Sequence, residues 1–386
     1  MKSFLAILAI VYLYAIGGMG SASSTSQLVS EREIAPETVT VSEEDSLLHY
    51  RHEELLPTLN GLVTRFKGEE FTNSKVRLAW HHTYLIRGLV VWQDLYPGDS
   101  LMIDSLLHYW LRELIDSQDY KIGRKDFMDR SMYGWSCAQY SDNGENCRFL
   151  LHAGLIGSAM LEATSRLLPS DPLRQEVLSE IGGMIEFYEA EWYVSERARY
   201  EYPDGFPESR IYKYAGIPIN HEAIWIDCLY RYQQLTDCDI CQIPVSRFIK
   251  HLEEQAAVKW TYLWTVSGHT NFDKPEDVRH GGLILRLVDL LGWEKFPRFT
   301  RSAQAGAEYL NKVYLEQGVL SHRVGEFLEG SCYDYIALIH GWRSLPDTKE
   351  LLQPLIDHGY RECLQSVDRK DAQSFLAQLT MLVYND

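Results

Sequence analysis

Four similar stretches of sequence decide the fold: His82-Thr-Tyr-Leu-Ile86, His152-Ala-Gly-Leu-Ile156, His221-Glu-Ala-Ile-Trp225 and His280-Gly-Gly-Leu-Ile284. They begin 70, 69 and 59 residues apart, and a related stretch from Cys332 follows about 50 residues later. Each opens an apolar pattern of helical period, and this spacing indicates a two-helix unit repeated with a long loop. We therefore expect repeated helical hairpins whose histidines lie at one end of the molecule.

The apolar residues follow helical rather than alternating spacing almost throughout the chain. The turns within the predicted hairpins are short, whereas the loops that connect one hairpin to the next are long. Most of the irregular structure is therefore expected on one face of the molecule, and functional residues usually lie on such loops. The first and last helices are expected to pack together and close a ring. We predict an all-α fold, an α/α toroid of about six helical hairpins with a long-loop active-site face. The predicted helices are 46–66, 76–95, 100–117, 148–168, 172–193, 220–235, 244–258, 280–291, 297–315, 333–343, 348–366 and 371–384.

The first 22 residues have the pattern of a signal peptide. Lys2 precedes an apolar run from Phe4 to Ile16, and the small residues that follow suit cleavage near Ala22. Residues 23–44 are predicted to be a flexible lead-in, and residues 45–386 a single toroid domain. No later segment predicts a membrane span, so we expect a secreted or periplasmic protein with no membrane insertion after signal removal.

The charge and the cysteines narrow the possible partners and environment. A formal net charge of −17 argues against nucleic acid and anionic membranes, because both bind basic surfaces. Seven cysteines leave at least one unpaired. After export, Cys137 with Cys147 and Cys238 with Cys241 are the pairs expected to oxidise, with two free thiols as the alternative for the second pair.

Asn220-His221-Glu222 marks a predicted helix start. A histidine there feels the positive end of the helix, which disfavours the imidazolium ion and leaves a neutral ring able to accept a proton. The Asn220 amide suits an oxyanion or a carboxylate, although asparagine is also a favoured N-cap. We expect Asn220 and His221 to be catalytic.

The stretch from Glu276 to Gly282 is the densest polar cluster in the chain. It joins two carboxylates, Glu276 and Asp277, to Arg279, His280 and a glycine pair that lets a ligand approach closely. A helix start capped by Asp277 is the structural alternative. Arg279 and His280 are predicted to be catalytic.

Aromatic and basic residues near the same loops suit sugars, because sugar rings present apolar faces and hydroxyl edges. The chain carries no P-loop, dinucleotide fingerprint, nucleophile elbow or His-Glu-x-x-His motif, so no cofactor and no metal are expected. The partner expected is a polysaccharide or oligosaccharide substrate. The residues predicted to bind it are His82, Trp135, Arg148, His152, Tyr214, Glu222, Trp264, Glu276, Asp277 and Arg323.

Asn220-His221 at an inner-helix start, followed by an aromatic-rich helix, resembles the α/α-toroid polysaccharide lyases, alginate lyases in particular. The resemblance implies β-elimination at a uronic acid, with an Asn-His pair, an arginine and a tyrosine in the site. Arg279 and Tyr333 or Tyr335 are the candidates for the last two roles. The His-x-small-Leu-Ile repeat also resembles uncharacterised exported α/α-toroid proteins.

The sequence thus predicts an exported carbohydrate-active enzyme, foremost a polysaccharide lyase that cleaves a uronic-acid-containing glycan by β-elimination. A glycoside hydrolase is the first alternative, with Asp277 or Glu276 paired with Glu222, Glu326 or Glu329. A non-catalytic glycan-binding or envelope-assembly protein is the second. The acidic composition favours this last class, or a neutral substrate, over the lyase.

Overall fold

A computed structural model describes residues 43–385 except 142, 196–198, 204, 208–216, 260–277, 321–344, 346–347 and 366–371. Contacts divide the chain into Met1–His49 and Tyr50–Asp386, and the second unit holds the core. Within the described ranges no helix is long and apolar enough to cross a membrane.

Helices form almost all regular structure in the described ranges. A two-stranded antiparallel ribbon joins β1, Tyr193–Val194, to β2, Arg199–Tyr200. The predicted helix over 333–343 lies outside the described residues. The helices are α1 Glu43–Lys67, α2 Thr83–Leu95, α3 Ser100–Asp116, α4 Asp119–Ile122, α5 Leu150–Thr164, α6 Pro172–Trp192, α7 Ile219–Leu235, α8 Asp239–Lys259, α9 Val278–Leu291, α10 Pro297–Gln317, α11 Lys349–Gln365 and α12 Ala372–Asn385.

Local capping explains where α6 begins, whereas α8 begins earlier than the sequence predicts. Asp171 caps α6 by accepting a hydrogen bond from the Leu173 N–H, and Pro172 takes the first helical position. The sequence predicted that α8 begins at Pro244, since proline favours a first turn. The helix instead begins at Asp239 and contains Pro244. That boundary prediction was wrong, because residues 239–243 are already helical although Pro244 has no N–H to donate to the preceding turn.

Within the described ranges, five helices form an inner layer. α2 packs against α5, α5 against α7, and α7 against α9, while α12 packs against α2. The C-terminal halves of all five line one cavity of about 430 Å³, to which they contribute Asp94, Glu162, Arg231, Arg286 and Thr380 in chain order. The five helices therefore run in the same direction, and their first turns lie together at the opposite end. We call that end, formed by the N-terminal turns of the inner helices, the mouth.

The remaining long helices form an outer layer and complete the predicted α/α toroid. α3 packs against α2 and α6, α8 against α7 and α10, and α11 against α10 and α12. The ring closes where α12 meets α2: the Phe375 ring stacks on Trp92 with 6.0 Å between centroids. A side chain at Gly88 would lie 3.0 Å from Phe375, so the glycine allows this close approach.

A network of buried and half-buried charges lies beside the cavity. Glu162 accepts a hydrogen bond from Arg286 at 2.8 Å and lies 3.6 Å from Arg231 and 3.7 Å from Arg87. Asp227 lies 2.7 Å from Arg231 and 3.7 Å from Arg286. Two carboxylates thus hold three arginines from α2, α7 and α9, and they connect four of the inner helices.

Glu162→Gln removes the central charge of this network, and we expect the free energy of unfolding to fall by about 3 kcal/mol because buried arginines lose their counter-ion. The control is Asp94→Asn, which breaks the exposed pair with Arg166 on the same cavity and should cost less than about 1 kcal/mol. Urea unfolding of both variants checks the ranking. Equal losses would contradict a buried network.

α5 and α7 pack closely against each other where α5 carries glycines. A Cβ at Gly154 would lie 2.8 Å from Ile224 Cγ2 and 2.9 Å from the Ile224 carbonyl carbon and oxygen. We expect Gly154→Ala to lower the free energy of unfolding by about 1–3 kcal/mol, because backbone must move. Gly61→Ala, on the exposed face of α1 with open space around it, should instead stabilise by about 0.5–1 kcal/mol. Chemical denaturation distinguishes the two signs.

Candidate functional site at the mouth

Each repeated histidine lies in or directly before the first turn of an inner helix, as the spacing predicts. His152, His221 and His280 are the third residues of α5, α7 and α9. His82 is the last residue of a π-helical turn, Leu78–His82, that leads directly into α2. The four residues nevertheless differ in exposure: His82 and His152 are buried, whereas His221 and His280 are partly exposed.

His82 lies inside a cage of aromatic rings. Its imidazole stacks on Phe66 at 4.8 Å between centroids and meets Phe71 at 4.7 Å and Trp110 at 5.6 Å. Burial lowers the pKa of His82 to about 4, so the ring is uncharged at neutral pH. Its predicted contact with substrate does not fit this placement, because the aromatic cage covers the ring.

His152 is also part of the interior. Its Nδ1 lies 3.5 Å from the Asn73 amide nitrogen and 3.6 Å from Cys137 Sγ, and the Tyr140 ring lies 5.5 Å away. Burial lowers the pKa of His152 to about 3. The ring is fully covered, and it holds the loop that carries Cys137 and Tyr140 against the start of α5.

The backbone before α2 is unusual at the same end of the molecule. Val76 has a φ of 53°, which is rare for a β-branched residue, and the π-helical turn follows two residues later. The Val76 carbonyl accepts from the Trp80 N–H at 3.0 Å, and the Asn73 Oδ1 accepts from the Ala79 N–H. Strained backbone of this kind often accompanies functional sites.

Two further predicted binding residues are buried and already engaged. Arg148 forms an ion pair with Asp126, and its guanidinium lies 4.9 Å from the Phe187 ring. Trp135 is 1% exposed, and its Nε1 donates to the Leu114 carbonyl at 3.1 Å. Both side chains hold the long loop after α4 in place, so the structure assigns them a supporting position rather than contact with a glycan.

Asn220 lies in the first turn of α7 and is 3% exposed. It is not the N-cap, which is Pro218, so the capping alternative is wrong. Its Oδ1 has no hydrogen-bond partner among the described residues. An amide beneath the surface is poorly placed to neutralise the carboxylate of a polymer, which weakens its predicted role as an electrostatic clamp.

Glu222 is the functional side chain that the geometry favours. It is half-buried in the first turn of α7, and burial together with the charge of Glu189 raises its pKa to about 7. Glu189, in the last turns of α6, accepts hydrogen bonds from Tyr200 Oη at 2.7 Å and Trp225 Nε1 at 2.8 Å. A carboxyl group with a pKa near neutrality can donate or accept a proton.

Sequence reasoning missed Glu189 and Asp119. Glu189 sits in Tyr-Glu-Ala-Glu-Trp at the end of an outer helix, where acidic residues are usually solvated. Asp119 is buried beneath the loop between α4 and α5. Its carboxylate accepts a hydrogen bond from the Ser136 N–H at 2.9 Å, and burial raises its pKa to about 6. The signal available in the sequence was the aromatic setting of Glu189, since Tyr188 and Trp192 flank it.

The other predicted site residues fall outside what the structure describes. Arg279 is the second residue of α9, but its side chain is not described. Within the described part of the chain, no three His, Cys, Asp or Glu side chains come together as a metal site. The residues outside the described ranges are Tyr214, Trp264, Glu276, Asp277, Arg323, Glu326, Glu329, Tyr333 and Tyr335.

No family model and no curated protein matches this chain. Two solved structures are similar to it. A family 76 glycoside hydrolase from a bovine Bacteroides thetaiotaomicron strain has a TM-score of 0.49 and 14% identity, over 79% of this chain and 69% of that one. A mutant of Rex8A from Paenibacillus barcinonensis, complexed with an arabinofuranosyl-xylotetraose, has a TM-score of 0.47 and 11% identity, over 90% and 95%. The toroid assignment rests on the helix packing described above.

The two buried histidines make stability depend on pH. Because burial lowers the folded-state pKa of His152, the unfolded chain alone takes up this proton as pH falls below about 6.5, and stability is lost between there and about 3. We expect His152→Gln to flatten this slope by up to about 1.4 kcal/mol per pH unit. Unfolding free energies measured across that range test this.

The matched control is His108, which pairs with Asp171 at 2.7 Å on the outer layer. Although partial burial opposes it, hydrogen bonding to Asp104 and Asp171 raises the pKa of His108. Its contribution is therefore present below about 6.5 and lost as pH rises. His108→Gln should change the slope in the opposite direction, and equal effects of the two substitutions would contradict the burial argument.

Proposed function

We propose that this protein is a glycoside hydrolase with Glu222 as the proton donor. The observation that carries the proposal is the half-buried Glu222 carboxyl at the mouth, whose pKa is raised to about 7. Cleavage of a glycosidic bond needs a carboxylic acid that stays protonated near neutral pH and transfers its proton to the leaving oxygen. Burial and a neighbouring carboxylate are the two usual ways to produce one.

Glu189 acts by holding the proton on Glu222. Its own carboxylate is fixed by Tyr200 and Trp225, so its negative charge has a defined position beside Glu222. Burial raises the pKa of Glu189 as well, while the two hydrogen bonds oppose that shift. Glu189 is therefore stabilised as a carboxylate by its two hydrogen-bond donors, and Glu222 carries the proton. Acid catalysis requires this difference between the two carboxyl groups.

The second carboxylate of the reaction is assigned to Asp277 or Glu276. These residues directly precede α9, whose first residue is Val278, and α9 packs beside α7 at the mouth. Such a residue would act as the base or the nucleophile opposite Glu222.

A neutral glycan is the proposed substrate class. The net charge of −17 repels polyanions, and Arg148 is already paired with Asp126. Tyr140, 43% exposed beside Phe149, offers an aromatic face to a sugar ring. The lyase hypothesis requires Asn220 to meet a uronate, and that side chain is buried. Export from the cell remains the prediction of the N-terminal sequence.

Glu222→Gln tests the proposal directly. Purified protein is incubated with neutral and acidic polysaccharides while reducing ends and the ultraviolet absorbance of unsaturated uronate are followed. We expect new reducing ends without absorbance for the wild type, and a fall in kcat of about 10²–10⁴-fold for Glu222→Gln because the leaving group loses its acid. The control Glu176→Gln alters only a surface pair with Arg112.

The pH profile separates the roles of the two glutamates. Activity should fall as pH rises through about 7, where Glu222 loses its proton. Glu189→Gln removes the charge that raises the pKa of Glu222, so this limb should move to lower pH. Full activity in Glu222→Gln would reject the assigned acid, and absorbance from unsaturated products would establish the lyase instead.

A further inference from the structure

The turn between α7 and α8 brings two cysteines together. α7 ends at Leu235 and α8 begins at Asp239, so Cys238 directly precedes α8 and Cys241 lies in its first turn. Their Sγ atoms are 2.7 Å apart, and both are thiols in this structure. A covalent S–S bond is about 2.05 Å long, so a small rotation of the side chains is enough to join them.

The two thiols differ in access to solvent. Cys241 is fully buried, whereas Cys238 is partly exposed and open to a reagent. Burial, followed by its contact with Cys238, raises the pKa of the Cys241 thiol well above its usual range. Cys238 is therefore the thiol that reacts first with an external partner.

We propose that Cys238 and Cys241 form a reversible disulfide that fastens the α7–α8 turn. The Cys238 thiolate attacks one sulfur of an oxidant of the disulfide class, such as oxidised glutathione, and a mixed disulfide forms as one thiolate leaves. Cys241 then loses its proton and attacks Cys238 Sγ, which releases the second thiolate. Two protein thiols are oxidised, the oxidant is reduced to two thiols, and the two protons pass to the released thiolates.

The other described cysteines are not arranged in this way. Cys137 and Cys147 exchange two backbone hydrogen bonds, at 2.9 and 2.8 Å, but Cys137 Sγ faces His152 Nδ1 and Cys147 Sγ faces the Glu145 carbonyl. Cys228 is fully buried on α7, in the position that Gly157 leaves open. The α7–α8 turn thus provides the pair with thiols in direct contact among the described residues.

The test uses the full chain and its own tryptic map. Cleavage after Arg231 and Arg247 yields one peptide that contains Cys238 and Cys241 and no other cysteine. Protein is treated with oxidised glutathione or with dithiothreitol, then unfolded, alkylated and digested. We expect the oxidised peptide to be lighter by two hydrogens and to carry no alkyl group, and the reduced peptide to carry two.

The peptide that contains Cys228 should be alkylated after both treatments and serves as the internal control. Two alkyl groups on the Cys238 peptide after oxidation would overturn the proposal. The same peptide masses test which cysteine reacts first. The Cys241→Ala variant should retain glutathione on Cys238, whereas the Cys238→Ala variant should leave Cys241 unmodified. The reverse pattern would reject the assigned order.

Thermal unfolding tests whether the bond fastens the fold. We expect oxidised wild type to have a Tm about 2–4 °C above that of reduced protein, because the unfolded chain is restricted. The double variant Cys238→Ala and Cys241→Ala should show no dependence on oxidation. A dependence that persists in the double variant would belong to another pair of cysteines and would overturn this assignment.

Discussion

The parallel direction of the inner helices is the constraint on which the rest of the structure depends. Parallel packing gathers the carbonyl ends of five helices around one cavity and their N–H ends at the mouth. Positive charge is favourable at the carbonyl end, and Arg231 and Arg286 supply it from the C-terminal halves of α7 and α9. Glu162 and Asp227 then hold these arginines against one another. The charge network is therefore a consequence of the helix direction.

The parallel direction of the helices also affects the mouth, where the helix N-termini carry partial positive charge. Helix N-termini disfavour imidazolium, which suits the buried, neutral His82 and His152. They also favour a carboxylate, so the first turn of α7 alone would lower the pKa of Glu222. Its pKa is raised because burial and Glu189 outweigh the helix end. In the proposed function, a carboxyl group that keeps its proton near neutral pH can transfer it to a substrate oxygen, and this property favours Glu222 as the acid.

The sequence predicts the layout of the ring because that layout depends on local periodicity. The histidine repeat marks where α2, α5, α7 and α9 begin, and apolar spacing identifies α12 and the outer helices. It does not predict which histidines are buried, because Phe66, Phe71 and Tyr140 cover them from the preceding helix and loops, whose paths do not follow from helical periodicity. The positions of Trp135 and Arg148 could not be predicted either, because their partners depend on the path of a loop.

The carboxyl pair shows most clearly where sequence reasoning ends. Glu222 was recognised because it follows Asn220-His221, but Glu189 belongs to the preceding outer helix and has no motif of its own. Its position depends on α6 and α7 converging near β2, where Tyr200 and Trp225 donate to it. Glu222 and Cys238 lie near opposite ends of α7, about 25 Å apart at 1.5 Å per residue. The thiol pair can therefore change the stability of the hairpin while the carboxyl pair keeps its geometry.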